Sequence, residues 1–273
     1  MVLFEYKQGD VWAHHTLDEI PNTKNLTIHA HTGCELYCFL QGEGYYTVEG
    51  NHYPLTPGTI LLMRSGETHM PHIREGSAYE RIAVHFPAEY LTEEDPALTA
   101  LFDDRPLGIH NCYPPEASDL DYLRYSLLRL CTPSTGSTEN RIRAYLIPVL
   151  YELAGRRGQS IGDAPLPVRP RDPLVIDILD YINSHLTEEF DLDALSHRFF
   201  FSKSHINKVF RAETGSSVWD YVVVKRLLLA RSLLHSGISA AGAAARSGFS
   251  DYSSFFRLYR RRFGVSPAKD KGI

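Results

Sequence analysis

The sequence has no apolar run long enough to cross a bilayer. Its apolar runs, such as Leu227–Ala230 and Ala240–Ala245, are a fraction of the roughly 20 residues a spanning helix requires. The opening MVLFEYKQGDVW places an acidic residue at Glu5 and has no apolar core, so a secretory leader is not expected. Cysteine is scarce: four in 273 residues are too few for a disulfide scaffold and fit a reducing cytoplasm. There is no Gly-rich phosphate loop, no nucleophile elbow and no HExxH pair, which removes the commonest nucleotide-binding, hydrolase and metalloprotease chemistries. Apolar residues at 43% and charged residues at 22% exclude a disordered or collagen-like chain. The length suits two domains with a connector.

Charge divides the chain. Residues 1–172 hold 14 Lys/Arg and 23 Asp/Glu, whereas residues 173–273 hold 14 and 10. From Arg198 onward the count is 14 against 4. A basic terminal region points to a polyanion, because Lys and Arg displace condensed counterions from phosphates. A solvated basic surface is the other reading.

Residues 25–90 read as short strands, NLTIHAH, ELYCFL, GYYTVEG, NHYPL, TILLM and RIAVHF, separated by glycine-containing turns. Evenly spaced short strands predict an antiparallel barrel or sandwich. After Pro87 the period changes. Leu120, Leu123, Leu127 and Leu130 share one helical face, as do Ile142, Leu146, Val149, Leu150 and Leu153. Pro148 should kink the second of these helices. The two helices either complete the barrel core or form a dimer seam. Gly158–Pro173, with four prolines, reads as a linker. The expected organisation is a barrel over 1–90, a helical connector over 91–157, a linker over 158–172 and an all-α unit over 173–273. The fold class is thus α+β and multidomain.

The last unit reads as two helix–turn–helix pairs. Asp191 caps the first helix, a turn follows at Phe200–Phe201, and Ser202 caps a second helix closed by Gly215. On that second helix Ile206, Val209 and Phe210 form one face; Lys203 begins it, and Ser204, Asn207, Lys208 and Arg211 form the other. Asn suits adenine and Lys suits guanine in a major groove. In the second pair Ser239 caps AAGAAARS, and Ser250 or Asp251 opens YSSFFRLYRRRF. Phe255, Tyr259 and Phe263 make the buried stripe; Tyr252, Ser253, Ser254, Phe256, Arg257 and Arg260 are the DNA-facing candidates, with Arg260, Arg261 and Arg262 placed for phosphates.

The segment GFSDYSSFFRLYRRRFGVSP (248–267) resembles the signature of AraC/XylS-type transcription regulators, through Gly248, Phe249, Phe255, Arg257, Tyr259, Arg260, Gly264 and Pro267. SKSHINKVFRAETGSSVWDYVVVKRLLLARSLL (202–234) is similar to the family's first recognition helix and linking helix. The resemblance implies two helix–turn–helix units on one rigid helix, reading successive major-groove segments about one turn apart. It also implies RNA polymerase as a partner. Alanines at 240–245, Gly242 and Lys208 depart from the usual pattern.

In the acidic half, HAHTGCELYCFLQG (29–42) and GTILLMRSGETH (58–69) resemble the two motifs of cupin barrels, in which three His and one Glu hold a divalent metal. The corresponding residues are His29, His31, Glu35 and His69; Arg64 stands where cupins usually carry Pro. Imidazole plus carboxylate suits a divalent transition metal, the one cofactor the pattern admits. The same four, with Tyr37, suit an organic effector such as a sugar. His14, His15, His52, His72 and His85 fit neither motif and read as surface or ordinary structural histidines. Cys34 and Cys38 read either as a thiol sensor or as buried, inert cysteines.

The expected function is a cytoplasmic, sequence-specific DNA-binding regulator. It binds double-stranded DNA as a homodimer, responds to a small-molecule effector and has no membrane partner or catalytic residue. A metal-responsive regulator and a metal-dependent cupin enzyme fused to a DNA-binding domain are the alternatives.

Overall fold

A computed structural model describes residues 1–23, 26–92, 95–115, 120–132, 136–157 and 172–270. Contacts group the chain into two compact units, Met1–Thr27 with Gly33–Pro170, and Arg171–Ile273 with the short segment Ile28–Thr32. The expected linker lies almost wholly outside the described residues.

Among the described residues the first unit has nine strands: β1 (Val2–Gln8), β2 (Val11–Asp18), β3 (Cys34–Gln41), β4 (Gly44–Val48), β5 (Asn51–Leu55), β6 (Ile60–Met63), β7 (His69–Ile73), β8 (Tyr79–Phe86) and β9 (Cys112–Tyr113). They form a six-stranded sheet, β1-β2-β8-β3-β6-β9, and a three-stranded sheet, β5-β4-β7, and all the pairings are antiparallel. The sequence reading missed β1, β2, β7 and β9. It also misplaced one strand: of NLTIHAH, the described residues Leu26–His31 are irregular apart from a single bridge at His29.

Side-chain alternation sorts the large sheet into two faces. Tyr37 and Phe39 of β3, Leu61 and Met63 of β6 and Tyr79 of β8 pack against Tyr46, Val48, Tyr53, Leu55 and Ile73 of the small sheet. Cys34, Leu36, Cys38, Leu62, Ile82 and Val84 point the other way and meet helices. Those helices are α1 (Glu89–Thr92), α2 (Pro96–Asp103), α3 (Leu120–Cys131), α4 (Thr138–Arg141) and α5 (Ile147–Arg157). Leu123, Leu127, Leu130, Ile142, Leu146, Val149, Leu150 and Leu153 all lie in this one core, so the connector completes the barrel domain.

Pro148 is the second residue of α5. A π-helical stretch over Ile142–Leu146 precedes α5, so the wider turn falls where proline cannot donate to the carbonyl four residues back. The start of α4 is capped by Ser137, whose hydroxyl accepts from the Asn140 N–H at 3.2 Å. Buried Arg141 donates to the carbonyls of Arg129, Leu130 and Thr132, closing the C-terminus of α3, and its guanidinium stacks 4.3 Å from the ring of Tyr6.

The second unit contains α6 (Pro173–Ser184), α7 (Leu192–Phe199), α8 (Lys203–Thr214), α9 (Val218–His235), α10 (Ala240–Arg246) and α11 (Tyr252–Phe263). α6, α7, α8 and the first half of α9 share a core around Ile178, Leu195, Ile206, Phe210 and Tyr221. α10, α11 and the second half of α9 share another around Leu227, Ala230, Ala243, Phe255 and Tyr259. A single long helix thus joins two small cores. At its middle, Arg226 donates to the carbonyls of Leu186 and Glu188. Gly248, at φ +90, brings its Cα hard against that guanidinium; a Cβ there would sit 2.9 Å from Nε.

Candidate functional site

In the first helix–turn–helix, Asp191 accepts from the Asp193 N–H and Ser202 from the His205 N–H, so both helix starts follow the capping pattern. Phe200 ends α7 in the left-handed region, φ +59, and is 92% exposed. α8 buries Ile206 and Phe210 and turns Lys203, Ser204, Lys208 and Arg211 to solvent. Two of these candidates have protein partners as well. Lys203 Nζ lies 2.6 Å from Asp193 Oδ1, and this hydrogen bond raises its pKa. Half-buried Asn207 uses its amide within the protein: Oδ1 accepts from the Val218 N–H at 3.2 Å, and Nδ2 donates to the Lys203 carbonyl at 3.3 Å. Bidentate reading of adenine by Asn207 would have to use the second lone pair of Oδ1 and the second N–H of Nδ2.

In the second pair, Asp251 is the cap, and its carboxylate accepts from the N–H groups of Ser253 and Ser254. These hydrogen bonds lower its pKa. Tyr252, Ser253, Arg257, Arg260 and Arg261 are exposed and Ser254 is half-buried, with its hydroxyl 3.3 Å from an Arg257 nitrogen. Phe256, read from the sequence as exposed, is half-buried beside Tyr252 at 6.4 Å. The whole pair is anchored by Asp270, which accepts from Tyr259 at 2.6 Å and Arg231 at 3.0 Å.

Of the cupin-like residues, the first unit brings Glu35 and His69 together. His29 and His31 lie on the segment Ile28–Thr32, which groups with the second unit, with their rings 5.3 Å apart. His69 Nδ1 lies 2.8 Å from the Glu67 carbonyl, which can only accept, so Nδ1 carries the proton. Nε2 then faces Glu35 Oε2 at 2.9 Å. A neutral imidazole lone pair and a carboxylate at that distance require a proton or a cation between them. Ligand bonds of about 2.1 Å at right angles put donors about 3 Å apart, so the pair has the spacing of adjacent metal ligands.

Two histidines set aside at the sequence level belong to this neighbourhood. The register pairs Trp12 with His85 and His85 with Glu35, so all three lie in one row on one face. His85 Nδ1 is 3.9 Å from Glu35 Oε2; its ring stacks on Trp12 at 5.0 Å, and His14 lies 4.3 Å from Trp12. In the next row small Ala83 sits between His14 and Tyr37. Tyr37 shares a hydrogen bond with Tyr79 at 3.0 Å and packs on Tyr46. The face therefore offers a carboxylate, imidazoles, phenols and an indole around an alanine floor. Only alternation along β2 and β8 could have signalled Trp12, His14 and His85, and without those strands paired it had no face to refer to.

The turn before His69 is held by a buried ion pair. Arg105 donates to both oxygens of Glu67, at 2.6 and 2.7 Å, and to Asn111, while Gly108 N–H also reaches Glu67. Burial raises the Glu67 pKa, but the Arg105 guanidinium together with the Gly108 and Arg64 N–H groups outweighs it and the net shift is downward. All four cysteines are buried, and burial pushes each thiol up to about 12, which leaves Cys34 and Cys38 inert. No helix among the described residues is long and apolar enough to cross a membrane.

Two family models match the chain, a helix-turn-helix domain over residues 195–271 and an AraC-like ligand binding domain over residues 21–104. The HTH-type transcriptional activator RhaS of Escherichia fergusonii is 24% identical over 246 residues, covering 88% of this chain and 85% of that protein. The arabinose operon regulatory protein of Escherichia coli is 28% identical over 242 residues, covering 84% and 77%. The crystallised DNA-binding domain of the transcriptional factor AdpA is 33% identical and covers 36% of this chain and 87% of its own, at a TM-score of 0.34. With a ligand-binding barrel, two helix–turn–helix units and both models in one polypeptide, the chain belongs to the AraC/XylS family of DNA-binding transcription regulators.

Proposed function

We propose that this regulator activates transcription in response to a small carbohydrate bound on the Glu35–His69–His85 face of the barrel. The observation that carries the reading is the polar-aromatic row Trp12–His85–Glu35, with His14 and Tyr37 around Ala83 in the next row. An indole face covers the C–H side of a sugar ring, while carboxylate, imidazole and phenol bond its hydroxyls. The arabinose operon relative supports the sugar class. The ligand acts through its different affinity for two arrangements of the protein. We place the regulator in the cytoplasm with its DNA, as a homodimer that contacts RNA polymerase; the exposed Tyr122 and Tyr125 on α3 are of the type found at interfaces.

The approach of His69 Nε2 to Glu35 favours a second reading, a metal-responsive regulator. His29, His31, Glu35 and His69 would hold the ion, which would supply a Lewis-acid anchor for an effector oxygen. Elemental analysis and native mass spectrometry of the purified, untagged protein separate the two. A retained organic mass without metal supports the sugar sensor. About one transition metal per chain, lost in His31→Ala, supports the metal reading.

A further inference from the structure

We propose that Trp219 is a DNA-contacting residue that seats on a sugar–phosphate segment beside the first recognition helix. The proposal rests on the DNA-binding reading of α8. Trp219 opens α9, is 47% exposed and touches the Phe190 ring at 6.0 Å. It lines one open groove of about 740 Å³ with Ser204, Asn207, Lys208 and Arg211, the outward residues of α8. The Asn207 amide to Val218 N–H bond fixes the first turn of α9 against α8, so the indole keeps its place relative to the two cations. The neighbouring acid, Asp220, is turned to the Ser217 hydroxyl at 2.6 Å.

Position within the groove selects the class of contact. Recognition helices touch base edges with their N-terminal residues, here around Ser204. Arg211 lies two turns later, with Trp219 beside it in the groove, so this end faces the backbone strand that flanks the read segment. A flat apolar ring covers a deoxyribose, its indole N–H donates to a phosphate oxygen, and Arg211 supplies charge. The groove is continuous with the recognition surface and positively charged, which matches duplex DNA.

The test uses the full-length protein, tryptophan emission and a mixed-sequence DNA duplex at low salt. DNA should change the emission of the wild-type chain along the same isotherm as the anisotropy of labelled duplex. That change should vanish in Trp219→Phe, which still binds. Trp219→Ala should weaken binding about tenfold for every sequence. Its salt slope should match wild type because no charge is lost, whereas Arg211→Ala should flatten the slope by about 0.9. Unchanged emission at saturating DNA, or wild-type affinity in Trp219→Ala, would overturn the proposal even if DNA is bound. A changed base preference in Trp219→Ala would overturn the backbone assignment. No anisotropy change with any duplex would remove the DNA-binding reading of α8 and this inference with it. The emission comparison does not depend on the alanine variant folding.

Discussion

The side-chain oxygen of Asn207 accepts a hydrogen bond from the backbone N–H of Val218 at 3.2 Å, joining the first recognition helix to the start of the long linking helix. The residue that looks most like a base reader is therefore also a helix cap. Asn207→Ala should lower unfolding stability by about 1 kcal/mol and weaken DNA binding through misplacement of α8 and α9. Thermal unfolding and affinities for two unrelated duplexes check this. Wild-type stability with altered base preference would return Asn207 to pure readout.

Arg105 and Glu67 form a buried pair whose loss strands a charge. Arg105→Ala should destabilise the first unit by about 3–5 kcal/mol and disturb the Glu67 carbonyl that fixes the His69 ring. Denaturant unfolding measures the loss. Because the folded Glu67 pKa lies below the ordinary 4.5, its stabilisation is present above that pH and is lost as pH falls through the lower, folded value. Glu67→Gln should remove that part of the acid dependence.

His72 has the opposite chemistry and the same direction of effect. Burial, with His52 close by, depresses its pKa from 6.5 to about 4. The unfolded chain then takes the proton first, so stability should fall as pH drops from about 6.5 to about 4 and level off below. Thermal midpoints across that window should be flatter in His72→Gln. An unchanged slope would show that His72 does not titrate this way.

Phe200 holds a left-handed conformation with its ring in solvent, so glycine fits its backbone better. Phe200→Gly should raise stability by about 1 kcal/mol in denaturant unfolding. A loss of stability would mean that the ring makes contacts outweighing the strain.

Much of this was legible because periodicity and capping are local. Ser202, Gly215 and Ser239 behave as their spacing predicts, and Phe255 and Tyr259 are buried where the stripe put them. Of the cupin-like residues, Glu35 and His69 meet within the first unit, whereas His29 and His31 lie on an irregular segment and not on the strand that the reading expected there. Sequence could not show that β2 pairs with β8 and β8 with β3, a long-range register that alone brings Trp12 and His14 beside Glu35. Nor could it show the second use of Asn207, because the partner is a backbone N–H eleven residues away.

The most direct test of the central claim, that two helix–turn–helix units read DNA together, is selection of binding sequences from a random duplex pool, with sequencing of the bound fraction. Wild-type protein should enrich two conserved blocks about one helical turn apart. Lys208→Ala should degrade one block and Arg257→Ala the other. A single block, or two blocks indifferent to both variants, would contradict the account.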